Sequence, residues 1–288
     1  MEVATIGYFD GVHIGHQKLI NKVIETAKLN NETSAVLTFD MSTFSFKVTK
    51  EITNEFEKEA IFKEMGIDKV YKLNLSELKD ETPEEFLNNI KKRTSTLVVG
   101  DDFRFGKDRV GDVDFINANQ DKNFKVIICE DVYDGENKIS STYIRNLIKN
   151  GELKKANSLM YKNYSLSGEV ITGFQRGRTI GYNTANMKIP KNKILPKEGV
   201  YLTRVKVANF DGYGMTMIGL ARGFNKEVTC ETNIFNFNKF IYGENLTIEF
   251  IDYLRENIKI NSLEELKVLL DKDKKNCMKI LENALQNK

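Results

Sequence analysis

VATIGYFDGVHIGHQKLI, residues 3–20, is the stretch that decides the fold of the first half of the chain. Its apolar start predicts a buried strand, and the apolar residues from Leu19 to Ala27 follow helical spacing. The glycines between them let the backbone approach a ligand closely, and the start of the helix favours an anion. Both histidines of the chain, His13 and His16, lie here, three residues apart on one face of a helical turn. The stretch therefore predicts a strand–loop–helix unit in which two imidazoles face one phosphate.

Strands and helices alternate through the first half of the chain. A helical pattern occupies residues 54–65, and a second begins at Thr82, the predicted N-cap, with Pro83 at the first helical position. Such alternation is typical of βαβ units and a parallel sheet, which binds nucleotides at the carboxyl ends of its strands. The further predicted strands are SAVLTFD (34–40), DKVYKLNL (68–75), STLVVG (95–100) and FKVIICE (124–130).

The pattern changes from about Asn163 onward, where short β-like runs are divided by Gly, Asn and Asp. A series of this kind without helices predicts a closed or partly open antiparallel barrel. A last helix begins near Ser262, which forms a predicted capping box with Glu265, and its apolar face includes Leu263, Leu266 and Leu270. We therefore expect two domains, 1–162 and 163–288. The predicted barrel runs are YSLSGEVITG (164–173), GVYLTRVKVANF (199–210), YGMTMIGLARGF (213–224), VTCETNIFNF (228–237) and NLTIEFIDYL (245–254).

The composition describes an ordinary soluble chain. Its 288 residues carry a formal net charge of +2, from 43 Lys and Arg against 41 Asp and Glu. This balance gives no reason to expect a nucleic-acid or membrane partner, although local positive patches can still bind a phosphorylated small molecule. Cys129, Cys230 and Cys277 have neither disulfide nor metal-ligand spacing, which predicts buried, reduced thiols. The N-terminus lacks a basic segment followed by a long apolar run. We expect a cytoplasmic enzyme or binding protein, and the oligomeric state stays open.

The motifs of the first half resemble those of a known family. HIGH (13–16) resembles the HxGH signature of nucleotidylyltransferases, and GYFDGVHIGHQ (7–17) is similar to the start of bifunctional riboflavin kinase/FAD synthetases. VVGDDFRFGKDRVGD (98–112) and KISSTYIRNLIKNGELKKANSLM (138–160) resemble that family's flavin and second nucleotide motifs. The resemblance implies that FMN attacks the α-phosphorus of ATP while His13 and His16 stabilise the transition state. It also implies phosphate contacts from Ser141 and Thr142, charge balance at pyrophosphate from Arg145, and nucleotide or flavin contacts from Gly7, Phe9, Asp10, Gly11, Gly15, Asp102 and Phe103.

The second half continues the same resemblance. GFQRGRTIGYNTANMKIP (173–190) is similar to the family's riboflavin kinase segment, and Glu231 lies at the position of its general base. The resemblance implies that Thr184 and Asn186 bind Mg²⁺ beside ATP phosphates, because hydroxyl and amide oxygens are hard ligands. It further implies an α/β plus β architecture, with a Rossmann-like nucleotidylyltransferase parallel sheet followed by a six-stranded antiparallel barrel and a terminal helix. The remaining expected nucleotide contacts are Gly173, Arg176, Gly177, Arg178 and Gly181.

The chain departs from the family pattern at identifiable positions. Residues 40–43 read DMST where the family has DPHP, and Asn183 replaces a proline before Thr184. The stretch 215–232 is also only loosely similar to the corresponding family segment. The departures at residues 40–43 and 183 leave open an enzyme with only one active half. Two further alternatives are a flavin-binding regulatory protein without catalysis and a cytidylyltransferase, which the second half and the DDFRFG stretch disfavour.

Overall fold

The computed structural model describes residues 1–39, 50–172, 181–220 and 228–286. The chain divides into two compact units. The first comprises Met1–Ile144 and Leu159–Lys162, and the second comprises Arg145–Ser158 and Asn163–Lys288. Within the described residues, no helix is long and apolar enough to span a bilayer.

The first unit is built on a five-stranded sheet in the order β3-β2-β1-β4-β5. Every pairing in it is parallel, so the predicted α/β architecture with a parallel sheet is confirmed. Apolar side chains cover both faces, with Val3 and Val36 on one and Ala4 and Leu97 on the other. The elements are β1 Glu2–Ile6, α1 Ile14–Asn30, β2 Thr33–Phe39, α2 Glu55–Met65, β3 Lys69–Leu73, α3 Leu75–Leu78, α4 Pro83–Lys91, β4 Thr94–Gly100, α5 Val113–Ala118, β5 Lys125–Cys129, β6 Tyr133–Asp134, β7 Asn137–Lys138, and the start of α6 Ser141–Asn150.

The helix starts of the first unit follow the sequence signals. Asn54 caps α2 and Thr82 caps α4, each in a complete capping box with the glutamate three residues later. Pro83 stands at the start of α4 as predicted. Helix α1 buries Ile20, Val23 and Ala27 against the sheet, which accounts for their helical spacing.

The second unit contains a closed six-stranded barrel in the order β10-β11-β12-β9-β8-β13, as expected. Its strands pair antiparallel. Inside it, the buried hydroxyls of Thr203, Thr216 and Thr232 satisfy one another at 2.9 Å. Strand β9 was not predicted as a strand from the sequence pattern. The elements after α6 are α7 Leu153–Ser158, β8 Ser165–Ile171, β9 Ala185–Met187, β10 Gly199–Val207, β11 Phe210–Leu220, β12 Val228–Ile234, β13 Asn245–Arg255 and α8 Leu263–Gln286.

Helix α8 packs on the barrel through apolar contacts and one buried ion pair. Arg255 on β13 donates from Nε at 3.0 Å and Nη2 at 2.6 Å to Asp273, which is only 2% exposed. Breaking a buried pair and leaving one charge unpaired costs about 3–5 kcal/mol, so this pair fixes where α8 lies. At the helix start, Ser262 accepts from the backbone of Glu265, whereas the Glu265 carboxylate accepts from Asn261. The predicted capping box is therefore half formed.

The three cysteines are free thiols, as the sequence predicted. Cys230 and Cys277 are buried, and burial raises the pKa of each thiol to about 12, with Glu231 and Asp273 adding to the effect. Cys129 is half-buried at the end of β5, so the prediction of buried thiols is wrong for this residue.

Candidate active sites

The loop between β1 and α1 has a strained backbone. Phe9 and Val12 have φ of 53° and 36°, a region that residues with a side chain seldom adopt, and Gly11 has φ of 81°. The loop follows the carboxyl end of the central strand β1, where parallel sheets bind nucleotides. Backbone strain of this kind persists only where surrounding contacts hold it, so the contacts to the loop decide its geometry.

Asp10 supplies much of that support. Its side chain is fully buried, and the carboxylate accepts from the backbone of Ile52 at 3.0 Å and of Thr53 at 2.9 Å. The Ser141 hydroxyl donates to the Asp10 carbonyl at 2.8 Å, and Gly11 donates to the Thr53 hydroxyl. In this arrangement Asp10 and Ser141 stabilise the loop, and their predicted ligand contacts stay predictions.

The two histidines are stacked on each other. Their ring centroids lie 3.6 Å apart with planes inclined by 23°, and the Phe9 ring meets His16 edge-on at 5.2 Å. A Cβ on Gly15 would lie 3.2 Å from Nδ1 of His13, so the glycine makes room for the imidazole. Nδ1 of each histidine is buried and has no hydrogen-bond partner among the described residues. Buried nitrogens without partners are suited to a polar ligand that fills the space.

Both imidazoles are neutral near pH 7. Burial lowers the pKa of His13 from 6.5 to about 4, and the positive charge of Lys138 acts in the same direction. Burial also lowers the pKa of His16 well below its usual value, with further lowering from His13 and Lys58. A neutral imidazole carries one N–H, so each ring can donate one hydrogen bond to a phosphate oxygen.

This protonation state predicts a loss of stability in acid. Between pH 6.5 and pH 4 the unfolded chain binds a proton on His13 and the folded chain does not, because the folded pKa is depressed. The free energy of unfolding therefore decreases as the pH falls through this window, by up to about 1.4 kcal/mol per pH unit for this site. In urea unfolding at several pH values, the free energy of unfolding of the first unit should decrease more steeply with falling pH in the wild type than in His13→Gln. The same pH dependence of the unfolding free energy in the two proteins would contradict the lowered pKa of His13.

The structure also places five further residues that the sequence analysis predicts for the first site. Asp102 is exposed and pairs at 2.5 Å with Lys138, the lysine whose charge acts on His13. Phe103 is half-buried and stacks on Phe105 at 5.5 Å. Thr142 is exposed in the first turn of α6, and Arg145 belongs to the part of α6 in the second unit. Gly7 is also in the loop, where an added Cβ would lie 3.2 Å from the Phe9 ring.

In the second unit, strand pairing places Glu231 directly opposite Asn186. Directly opposite residues on antiparallel strands have their side chains on one face, with Cβ atoms about 5 Å apart. Because side chains alternate along a strand, Thr229, Glu231 and Asn233 share one face of β12. The structure thus brings together the predicted general base and one predicted metal ligand, which are far apart in sequence.

That face borders a largely apolar cavity of about 420 Å³ between the barrel and the start of α8. This is within the range of about 300–1,000 Å³ that is usual for small-molecule sites. Thr184 borders this cavity and also a smaller one of about 150 Å³, so it lies at their junction. The apolar residues of the predicted α8 face contribute to the larger cavity, whose lining includes Val200, Met215, Met217, Leu220, Leu263, Leu266 and Leu270.

The turn before Thr184 is held by side chains that the sequence reasoning missed. The Asn233 amide donates to the Asn183 carbonyl at 2.7 Å, and Tyr182 donates its hydroxyl to Asp271 on α8. These bonds hold the turn at the position where the family has a proline. Arg255, which also borders the larger cavity, was missed as well. No local pattern marks these residues, because each acts through a partner distant in sequence.

Several predicted residues lie outside the described part of the chain. They are Gly173, Arg176, Gly177 and Arg178, the DMST departure at residues 40–43, and residues 221–227. Gly181, the last predicted phosphate contact, is exposed with φ of 83°, a conformation that glycine adopts readily.

Two family models match consecutive parts of the chain, FAD synthetase over residues 1–143 and riboflavin kinase over residues 160–281. The bifunctional riboflavin kinase/FMN adenylyltransferase of Listeria monocytogenes is 33% identical over 94% of this chain and 90% of its own length. This chain belongs to the bifunctional riboflavin kinase/FMN adenylyltransferase family. The relative of the same name from Bacillus subtilis is 31% identical over 98% of this chain and 93% of its own length.

Among solved structures, a crystal structure described as a macrolide-efflux protein from Streptococcus pneumoniae superposes with a TM-score of 0.88. It is 32% identical, and the match covers 95% of this chain and 92% of that chain. The resemblance to the riboflavin kinase/FAD synthetase family is thus confirmed, and both of the family's domains are present in their order along the chain.

Proposed function

We propose that this protein makes FAD from riboflavin in two ATP-dependent steps. The barrel unit phosphorylates riboflavin to FMN, and the sheet unit adenylylates FMN with release of pyrophosphate. The observation that carries the proposal is that each unit brings together groups suited to its reaction. Two neutral histidines, whose Nδ1 atoms have no hydrogen-bond partner among the described residues, lie in one unit, and a carboxylate at the wall of an apolar cavity lies in the other. A domain boundary near residue 162 is part of this proposal.

In the kinase step, the apolar cavity receives the flavin ring and Glu231 accepts the proton of the terminal ribityl hydroxyl. The alkoxide oxygen forms a bond to the γ-phosphorus of ATP, the bond to the β-phosphate oxygen breaks, and ADP leaves. Thr184 borders both cavities, which supports a phosphate position between the flavin and the nucleotide. The smaller cavity, bordered by Phe237 and Tyr242, is our candidate for the nucleotide.

Two residues, one at this junction and one beside it in sequence, fit Mg²⁺. Thr184 at the junction offers a hydroxyl oxygen, and Asn186, two residues later, offers an amide oxygen and lies opposite Glu231. Hard oxygen ligands of this kind, completed by ATP phosphates, are those that Mg²⁺ prefers. When bound, the ion would neutralise charge on the phosphates. The residues of the protein orient the terminal ribityl hydroxyl, and Glu231 accepts its proton.

In the adenylylation step, an FMN phosphate oxygen forms a bond to the α-phosphorus of ATP as the bond to pyrophosphate breaks. His13 and His16 each donate one hydrogen bond to α-phosphate oxygens, where negative charge develops. Their neutral state supports the assignment, because donors fixed in a buried site need no reorganisation during the reaction. We assign both reactions to the cytoplasm, which supplies ATP and keeps thiols reduced.

A time course with riboflavin, excess ATP and Mg²⁺ tests this function. FMN should rise first and then decrease as FAD accumulates, with the three flavins separated by chromatography. FMN that accumulates without FAD would restrict the function to the kinase and point to the 40–43 departure. FAD formed only when FMN is supplied would indicate a defective kinase and point to Asn183. Tight flavin binding without either product would refute catalysis.

A further inference from the structure

Lys58 is a buried lysine that the sequence reasoning did not mark as functional. It lies in the second turn of α2, on the face that contacts the β1–α1 loop, and is 2% exposed. Lysine is seldom fully buried without partners, because removing an ammonium group from water costs several kcal/mol. Its surroundings must therefore compensate for the lost hydration.

Those partners belong to the strained loop. The Lys58 ammonium donates to the Tyr8 carbonyl at 3.1 Å and lies 4.0 Å from the centre of the Tyr8 ring. The Tyr8 carbonyl immediately precedes Phe9, whose φ of 53° starts the turn that leads to His13. One side chain thus holds the backbone where the strain begins, and a cation–π contact adds to the hydrogen bond.

The charges around Lys58 come from several elements. Asp10 in the loop, Glu51 before α2 and Glu55 on α2 attract the ammonium group, although burial outweighs them and lowers the pKa of Lys58. On the α1 side, Lys58 is one of the charges that lower the pKa of His16, after burial and His13. Lys58 therefore acts on the loop through its hydrogen bond and on His16 through its charge.

We propose that Lys58 is a positioning residue of adenylyl transfer, whose buried ammonium fixes the strained loop that carries His13 and His16. This inference rests on the proposed role of the two histidines. It assigns no substrate contact to Lys58. A small displacement of groups that must align with a phosphate is expected to reduce the rate strongly.

The test compares Lys58→Met with Lys63→Met, an exposed lysine on the same helix. FAD formation from FMN and ATP should decrease about tenfold in Lys58→Met, which perturbs geometry without removing a catalytic group. It should be unchanged in Lys63→Met, and FMN formation by the barrel unit should be unchanged in both. Lys58→Gln should resemble Lys58→Met, because the glutamine side chain is one bond shorter than that of lysine and carries no charge.

A spectroscopic readout separates positioning from simple packing. The chain has two histidines, so its imidazole NMR signals can be assigned with the His16→Ala variant. The His16 pKa should rise in Lys58→Met, because a positive charge beside it is removed, and stay unchanged in Lys63→Met. The inference would be overturned if folded Lys58→Met and Lys58→Gln kept the wild-type rate of FAD formation and the wild-type His16 pKa. Failure of both variants to fold would also overturn it. Intact FAD formation in His16→Ala would instead refute the underlying site.

Discussion

His16→Ala should lose FAD formation by about 10²–10³-fold while FMN formation from riboflavin stays unchanged. The substitution removes one of the two stacked imidazoles that we propose donate to the α-phosphate, and a water molecule that enters the vacated space is not held in place as the ring was. The decrease should appear mainly in kcat, because a hydrogen bond that strengthens as charge develops stabilises the transition state more than bound ATP. Chromatographic rates with FMN and ATP, set beside rates with riboflavin and ATP, measure both activities in one preparation.

Lost packing is a competing explanation for a decrease of FAD formation in His16→Ala, and two control variants distinguish it from the loss of the imidazole. His16 contacts the Phe9 ring, so alanine leaves a gap beside a buried aromatic residue. His16→Gln fills more of that space and should show a comparable loss if the imidazole itself is required. Lys22→Ala, on the exposed face of α1, should leave both reactions unchanged. An equal decrease of FMN and FAD formation in folded His16→Ala would contradict a site confined to the first unit.

Much of this fold could be predicted because its signals are local. The continuous buried run of β1, the glycines of the loop and the helical spacing of α1 lie within one short stretch. In the barrel, β12 alternates between half-buried and buried residues from Thr229 to Ile234. Strand β9 was missed because three residues are too few for a period to show, and its pairing with β12 and β8 defines it instead.

The site could be predicted only in part because its supports are distant in sequence. A lysine in a helix ordinarily indicates a solvated face, yet Lys58 is buried through contacts with Tyr8, fifty positions away. The motif predicts a ligand contact for Asp10, but no local pattern shows that its carboxylate accepts hydrogen bonds from the backbone of residues 52 and 53. Motifs identify which residue types the chemistry needs, whereas tertiary packing decides which of them contact the ligand and which hold the loop.

Glu231→Gln should reverse the pattern of His16→Ala. FMN formation should decrease by about 10²–10⁴-fold, because the amide keeps the shape of the side chain but cannot accept the ribityl hydroxyl proton. FAD formation from supplied FMN should be unchanged, since Glu231 lies on β12 of the barrel. Stopped-time assays with riboflavin alone and with FMN alone give the two rates.

The interpretation of that result depends on whether the flavin cavity survives. Glu231 lies opposite Asn186 at the wall of the apolar cavity, so a distorted strand would impair riboflavin binding as well as proton transfer. We therefore expect riboflavin affinity, measured by quenching of flavin fluorescence, to be nearly unchanged in Glu231→Gln while kcat decreases. Glu169→Gln, an exposed glutamate on β8 of the same barrel, should leave both quantities unchanged. Lost affinity with unchanged kcat would assign Glu231 to riboflavin binding and leave the general base to another group.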